Sequence, residues 1–310
     1  METKHEEILR FKRAPTPEAV ISFARELDRT SPYATLSYLG RSLRGRSIPI
    51  LNLGNREAKT GVLYVASHHA SEWICTSILL RFASEVCSLA SNNKCVYGVN
   101  ANTLLSSRYI TLIPMLNPDG VAIQQNGVDA SDPLRSRLIR MNGSEDFSKW
   151  QANGRGVDLN HNYDAYFDEY KALEASLGIM GGAATKYSGE YPESEPETAL
   201  LCNRVRYDDN TAAALTLHTQ GEVIYYTSRG YAPRRSESAA KVLSRMTGYE
   251  LSSAEGTASY GGMTDWFVTK LDKPCFTLEC GKGENPLPVS DGFGIYMKLR
   301  EALFTFPILF

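Results

Sequence analysis

Val62-Leu63-Tyr64-Val65-Ala66-Ser67-His68-His69-Ala70-Ser71-Glu72-Trp73 runs from an unbroken apolar stretch into a polar turn, and over residues 73–89 apolar side chains return at helical spacing. Five apolar residues without alternation mark a strand covered on both faces. Strand, turn and helix in that order form the repeating unit of an α/β sheet. The pattern recurs on either side. Residues 109–115, 213–217 and 275–278 are further short apolar runs, each ending in polar residues. Helical patterns lie over 195–206, 236–246, 265–271 and 294–304. Upstream, Thr16 stands as a cap before a helix over 17–27, and Ala34-Thr35-Leu36-Ser37-Tyr38-Leu39 alternates against Ile48-Pro49-Ile50-Leu51-Asn52-Leu53 as a hairpin does. The expected fold is α/β, with a central mixed, largely parallel sheet sandwiched by helices. A helical extension over 1–32 is expected to pack on a single domain over 33–310.

Composition narrows the function. The chain has 310 residues, 43% apolar and 22% charged, with a net charge of -2 and no long Lys/Arg run. Nucleic acid and an anionic membrane are thereby excluded as main partners. The short basic cluster Arg41-Ser42-Leu43-Arg44-Gly45-Arg46 reads as solvated loop charge. Met1-Glu2-Thr3-Lys4-His5-Glu6-Glu7 lacks the apolar stretch of a secretory leader, and no later segment reads as a membrane span, so a cytoplasmic protein is expected. Six irregularly spaced cysteines read as reduced thiols. Residues 124–154 are polar and aperiodic, and read as a long surface excursion of the kind that carries function.

The turn after the first apolar run holds His69 and, three residues on, Glu72. These two side chains converge if the backbone curls into the following helix. Zinc favours imidazole nitrogen and carboxylate oxygen in sets of three, with a fourth position open. His218 offers the third ligand from the end of Leu215-Thr216-Leu217-His218, where sites collect in open α/β sheets. Glu279 ends Phe276-Thr277-Leu278-Glu279, where burying a carboxylate is costly without a task or a partner. Such a carboxylate can take a proton from an attacking water and pass it to a leaving amine. Read singly, His218 also fits a hydrogen-bonded strand end, and Glu279 a loop cap.

Taken together these residues resemble the zinc carboxypeptidase family. The resemblance covers residues 38–304. It runs through Tyr38-Leu39-Gly40-Arg41-Ser42-Leu43-Arg44-Gly45-Arg46, His69-Ala70-Ser71-Glu72-Trp73, Asn117-Pro118-Asp119-Gly120, Gly156-Val157-Asp158-Leu159-Asn160-His161-Asn162, Gly261-Gly262-Met263-Thr264-Asp265-Trp266 and Phe276-Thr277-Leu278-Glu279. It implies a sheet of about eight strands, one zinc ion held by His69, Glu72 and His218, Glu279 as general acid/base, and a small peptide substrate. It also implies an arginine that stabilises the oxyanion, assigned to Arg140 with Arg135 and Arg137 as competitors.

Departures from the family pattern bear on substrate. Where carboxypeptidases follow Asn160 with an arginine that clamps the substrate carboxylate, this chain has His161. It has Ser71 where the family carries an arginine, and Thr257 where the family carries a capping tyrosine, with Tyr260 nearby. His218-Thr219-Gln220-Gly221-Glu222 and Glu279-Cys280-Gly281-Lys282-Gly283-Glu284-Asn285-Pro286 resemble a bacterial branch that cleaves the γ-D-glutamyl bond to a diamino acid, usually meso-diaminopimelate. This implies a muropeptide substrate, contacted by Asn160, His161, Glu222 and Tyr260, with Lys282 and Glu284 as further selectivity groups. An ordinary carboxypeptidase, an amidase of small N-acyl amino acids and a non-catalytic peptide-binding relic are the competing readings.

Overall fold

The computed structural model describes residues 3–208 and 210–310, and of Thr257 and Ser259 the backbone alone. The hairpin expected upstream is β1 (Ala34–Arg41) paired antiparallel with β2 (Ser47–Gly54). The first apolar run is β3 (Gly61–Ala66). A two-stranded ribbon of β4 (Cys95–Val96) and β5 (Val99–Asn100) precedes β6 (Tyr109–Ile113). Next come β7 (Thr211–His218), β8 (Val223–Tyr225), β9 (Glu250–Ser252) and β10 (Cys275–Glu279). Eight strands form one mixed sheet in the order β1-β2-β6-β3-β7-β10-β8-β9, and its centre, β6-β3-β7-β10, is parallel.

Eleven helices connect and cover the strands among the described residues: α1 (Lys4–Leu9), α2 (Pro17–Thr30), α3 (Ile74–Ser91), α4 (Ala101–Ser107), α5 (Pro118–Asn126), α6 (Arg135–Asn142), α7 (Phe167–Ser176), α8 (Pro196–Arg206), α9 (Ser236–Thr247), α10 (Met263–Lys270) and α11 (Gly292–Thr305). Side chains of successive strand residues point to opposite faces. In β3, Val62, Tyr64 and Ala66 join the larger core, which also holds residues of α2, α3, α4, α9 and α11. Leu63 and Val65 join a second core with Leu201 of α8 and Trp266 of α10. Both faces are therefore dry, and β3 needs apolar residues at every position.

Two expectations are corrected here. By length and composition the stretch Ala70–Ser91 is apolar enough to cross a membrane, although no such segment was expected. It is a core helix: Ile78, Leu79, Leu80, Phe82 and Val86 are fully buried, each contributing roughly 1.5–3 kcal/mol. Two of the three arginines in the basic cluster, Arg44 and Arg46, are not solvated loop charge either, while Arg41 is exposed as expected. Arg44 donates to the carbonyl of Gly154 at 2.8 Å and pairs with Asp132, and Arg46 pairs with the buried Asp119 at 2.8 Å. Arg44 ties the hairpin to the long excursion, and Arg46 ties it to the first turn of α5.

A buried carboxyl in α8 yields a test of pH linkage. Glu197 is fully buried, with one oxygen accepting from the Leu43 amide at 3.0 Å and the other without a partner among the described residues. Burial pushes its carboxyl up from 4.5 to about 7, opposed by the Leu43 amide and aided by Asp119 and Glu195. The folded protein thus keeps a proton that the unfolded chain gives up near 4.5, and stability falls as pH rises through that window. Glu197→Gln cannot ionise. Its stability relative to wild type is expected to climb by on the order of 3 kcal/mol between about pH 4 and about pH 8, read from urea denaturation at each pH. A pH-independent difference would mean the carboxyl titrates normally.

Candidate active site

Strand register sets the site. Ala66 lies opposite Leu217 across β3 and β7, and His218 lies opposite Glu279 across β7 and β10. Three parallel strands therefore end side by side, each releasing a functional residue into the same crevice. After Ala66 the chain turns at Ser67, whose φ is +54°. The turn is braced from outside: the Asn117 side-chain amide donates to the His68 carbonyl at 2.9 Å, and the Ala70 amide donates to the Gln151 carbonyl at 2.9 Å. Asn117 also caps α5 by accepting from the Gly120 amide. A Cβ on Gly120 would lie 2.3 Å from the Ala152 carbonyl oxygen, so no other residue fits there. The Asn117-Pro118-Asp119-Gly120 block is therefore scaffold for the turn that carries His69.

His69, Glu72 and His218 converge. Their ligand atoms all lie within 4.8 Å of one another. Nδ1 of His69 is 2.9 Å from one Glu72 oxygen and 3.3 Å from Nδ1 of His218, which is 3.0 Å from the other Glu72 oxygen. Tetrahedral ligands about 2.0–2.1 Å from zinc stand about 3.3 Å apart, so the cluster has the span zinc needs. Asp158 accepts from Nε2 of His69 at 3.1 Å, which leaves Nδ1 free to coordinate. Burial works against the Asp158 carboxylate, but His69, His161 and the Lys186 amide together outweigh it and hold the carboxyl well below its usual range. Asn285 steadies Glu72, donating to it at 3.3 Å and to the Thr219 carbonyl at 2.9 Å. His68, adjacent to the ligand, stacks on His218 and is kept neutral, chiefly by burial.

A cavity of about 180 Å³ opens beside this cluster, lined by His69, Asp158, Asn160, His161, Lys186 and Glu279 among others. Burial pushes the Glu279 carboxyl up to about 7, with His218 and His69 pulling it down and Glu72 adding to the rise. A carboxyl poised near neutrality can both accept and return a proton. Asn160 is engaged structurally, its side-chain oxygen accepting from the Met263 amide at 3.2 Å. His161 stacks on Tyr170 with ring centroids 4.1 Å apart, and its Nδ1 lies 2.8 Å from the Tyr260 carbonyl. The carbonyl can only accept, so Nδ1 carries the hydrogen. Burial lowers the pKa of this imidazole, and Asp158 only partly opposes it. His161 thus presents a neutral Nε2 where the family's clamp presents a guanidinium.

The remaining residues expected at the site stand elsewhere in the structure. Arg140 is exposed on α6 and does not line the cavity. Its competitors are engaged away from it, Arg135 with Glu145 at 3.0 Å and Arg137 with the Gly181 carbonyl at 3.3 Å. Helix α6 seals the small apolar cluster around Leu138, Phe147 and Trp150, and its arginines project from that cluster. Glu222 is paired with Lys298 and, at 3.4 Å, with Lys282, while Glu284 lies 3.7 Å from Lys149. Tyr260 lines an adjoining hollow and not the cavity itself. The Thr257 side chain lies outside the described residues.

Lys186 is the residue that sequence reasoning missed. Among the described residues it is the one Lys or Arg lining the cavity, and its ammonium makes no ion pair. Its backbone is held at φ +65° by the amide donating to Asp158 at 2.9 Å and by the carbonyl accepting from the Tyr170 hydroxyl at 2.9 Å. No local pattern marks it, because it reaches the cavity only through the fold of the loop after α7.

Comparison with known proteins agrees with this geometry. The model of a family described as zinc carboxypeptidase matches residues 20–298. The gamma-D-glutamyl-L-diamino acid endopeptidase 1 of Lysinibacillus sphaericus is 35% identical over 280 residues, covering 90% of this chain and 68% of that protein. The crystal structure of thrombin activatable fibrinolysis inhibitor superposes with a TM-score of 0.72 at 18% identity, over 99% of this chain and 75% of the other. That of the murein-tripeptide amidase from Escherichia coli O157 gives 0.52 at 20% identity, over 86% and 91%. These two show the fold. With a family match over most of its length and the three zinc ligands converging at the strand ends, the chain belongs to the zinc carboxypeptidase family.

Proposed function

We propose that this zinc metallopeptidase cleaves the amide bond between the γ-carboxyl of D-glutamate and a diamino acid in peptidoglycan stem peptides. The observation that carries the reading is His161. A carboxypeptidase holds its substrate's terminal carboxylate with a charged fork, whereas His161 is neutral and its Nδ1 is already committed to the Tyr260 carbonyl. The Lysinibacillus relative, which is named for this bond, supports it from sequence.

His69, Glu72 and His218 would hold the zinc ion, which would supply Lewis acidity toward the scissile carbonyl and water. The chain's own residues supply the rest. Asp158 fixes the tautomer and orientation of His69. Glu279 takes the proton of the attacking water and delivers it to the departing amine. Lys186 meets a substrate carboxylate: a γ-linked D-glutamate carries its free α-carboxylate close to the scissile amide. Lys186→Ala is expected to raise KM for such a peptide about tenfold with kcat little changed, the loss of one charge-assisted contact. An unchanged KM would remove Lys186 from the substrate site.

The reading is tested by incubating zinc-loaded protein with L-Ala-γ-D-Glu-meso-diaminopimelate beside an α-linked peptide and following products by mass spectrometry. Chelator-sensitive cleavage confined to the γ-D-glutamyl bond is the expected outcome. Trimming of the α-linked C-terminus alone would establish an ordinary carboxypeptidase and overturn the reading.

A further inference from the structure

Among the described residues no arginine lines the cavity, so the charge that develops on the substrate there needs another donor. As water adds to the scissile carbonyl carbon and gives its proton to Glu279, the π pair of the C=O bond moves onto the carbonyl oxygen. When that pair returns and the C–N bond breaks, the proton goes to the departing amine. A fixed donor aimed at the oxygen lowers the barrier between these states. Gln151 lines the cavity together with His69 and Glu279. Its backbone is held on both sides: the carbonyl accepts at 2.9 Å from the amide of Ala70, the neighbour of His69, and the amide donates to the Ala184 carbonyl at 3.0 Å. Its side chain is oriented by Thr185, whose hydroxyl donates to Oε1 at 2.7 Å. Thr185 is itself placed by the next residue, since the Lys186 amide donates at 2.9 Å to Asp158, the carboxylate that supports His69. A carboxamide carries one acceptor and one NH2 group. With Oε1 taken by Thr185, the two hydrogens of Nε2 have no protein partner among the described residues.

We propose that Gln151 is a catalytic residue of this chain, its Nε2 donating to the scissile carbonyl oxygen as negative charge develops there. The role expected of Arg140 thus passes to a neutral side chain. A side-chain amide is sufficient for it, because a donor already in place costs no reorganisation at the moment of reaction. Gln151 is in place: its own carbonyl is bonded to the turn that carries His69, and Thr185 fixes which end of the carboxamide is turned outward. Lys186 is the cation of the cavity, but its side chain is exposed and its ammonium is a mobile point charge on a long stem, which suits a substrate carboxylate better than a developing oxyanion. The inference rests on the reading of the chain as a peptidase and adds the oxyanion donor to it, whichever peptide bond is cleaved.

Steady-state kinetics are to be measured for wild type, Gln151→Ala and Gln151→Glu on whichever of the γ-linked and α-linked peptides wild type cleaves. Calorimetry adds the affinity for a phosphinate analogue of that peptide, in which a tetrahedral, anionic phosphorus replaces the scissile carbonyl. The bonds of Gln151 to Ala70 and Ala184 come from its backbone and survive in both variants, and zinc content and thermal midpoint serve as controls of folding. Gln151→Ala is expected to lower kcat about a hundredfold with KM nearly constant, the cost of one oxyanion donor, and to weaken the phosphinate by a similar factor. Gln151→Glu keeps the shape but offers a like charge and no donor, and is expected to lose at least as much. A kcat near wild type in Gln151→Ala, a change confined to KM, or a phosphinate bound as tightly by the variants as by wild type would overturn the assignment while leaving the peptidase reading in place. Cleavage of neither peptide by wild type would overturn the peptidase reading, and this inference with it.

Discussion

Glu279→Gln is expected to retain one zinc per chain and to lose turnover by about three orders of magnitude, within the range that positioned proton transfer contributes. Three orders correspond to about 4 kcal/mol of barrier. Glutamine keeps the shape and one acceptor of Glu279, but it cannot hold a proton and then release it. Glu279 is not among the three residues whose ligand atoms converge, so zinc affinity should survive. Substrate affinity should survive as well, and the loss should fall on kcat with KM nearly constant. Metal analysis and steady-state kinetics on the same preparation separate these quantities. Turnover near wild type in the zinc-loaded variant would mean that another group moves the proton.

His218→Ala has the second large effect. Structural zinc sites bind with about 10–16 kcal/mol, and sharing that among a few ligands gives several kcal/mol each. Removing one of three ligands should therefore lower zinc affinity by about a thousandfold or more. It also leaves the buried Glu72 carboxylate without the imidazole 3.0 Å away, which destabilises the apo protein too. Asp158→Asn is the informative comparison, since it leaves all three ligands in place and changes the group that orients His69. Changes of that kind cost about 10–100-fold. Competition with a calibrated chelator gives both affinities. Equal losses in the two variants would contradict the assignment of His218 as a ligand and of Asp158 as the group that supports His69. Because bound ligand adds to folding stability, chelation should lower the thermal midpoint of wild type and leave that of His218→Ala unmoved.

Much of this architecture is legible along the chain because its central strands are dry on both sides. Residues 62–66, 109–113, 213–217 and 275–278 are apolar at nearly every position, and each is a strand of the sheet. Their polar ends mark where the chain leaves the sheet, and His69, His218 and Glu279 stand at those ends. The outer strands β8 and β9 are three residues each, too short for a period to show. Helix α6 hides in the polar excursion because Leu138 is its one buried residue, and α5, although largely buried, is short and has no continuous apolar stripe.

Residue order alone was enough for the fold class, the three zinc ligands and the carboxylate beside them, because burial and coordination chemistry restrict which residue types can stand where strands end. The substrate side came from tertiary contacts. Arg140, chosen by its spacing from Asn160, is exposed on a helix whose apolar face is turned to another cluster. Lys186 lines the cavity because Asp158 and Tyr170 hold its backbone in the left-handed region. Arg229 packs its guanidinium against Tyr166 and Tyr260, rings from segments far apart in the chain. Such placements depend on contacts between segments far apart in the chain, and no local spacing encodes them.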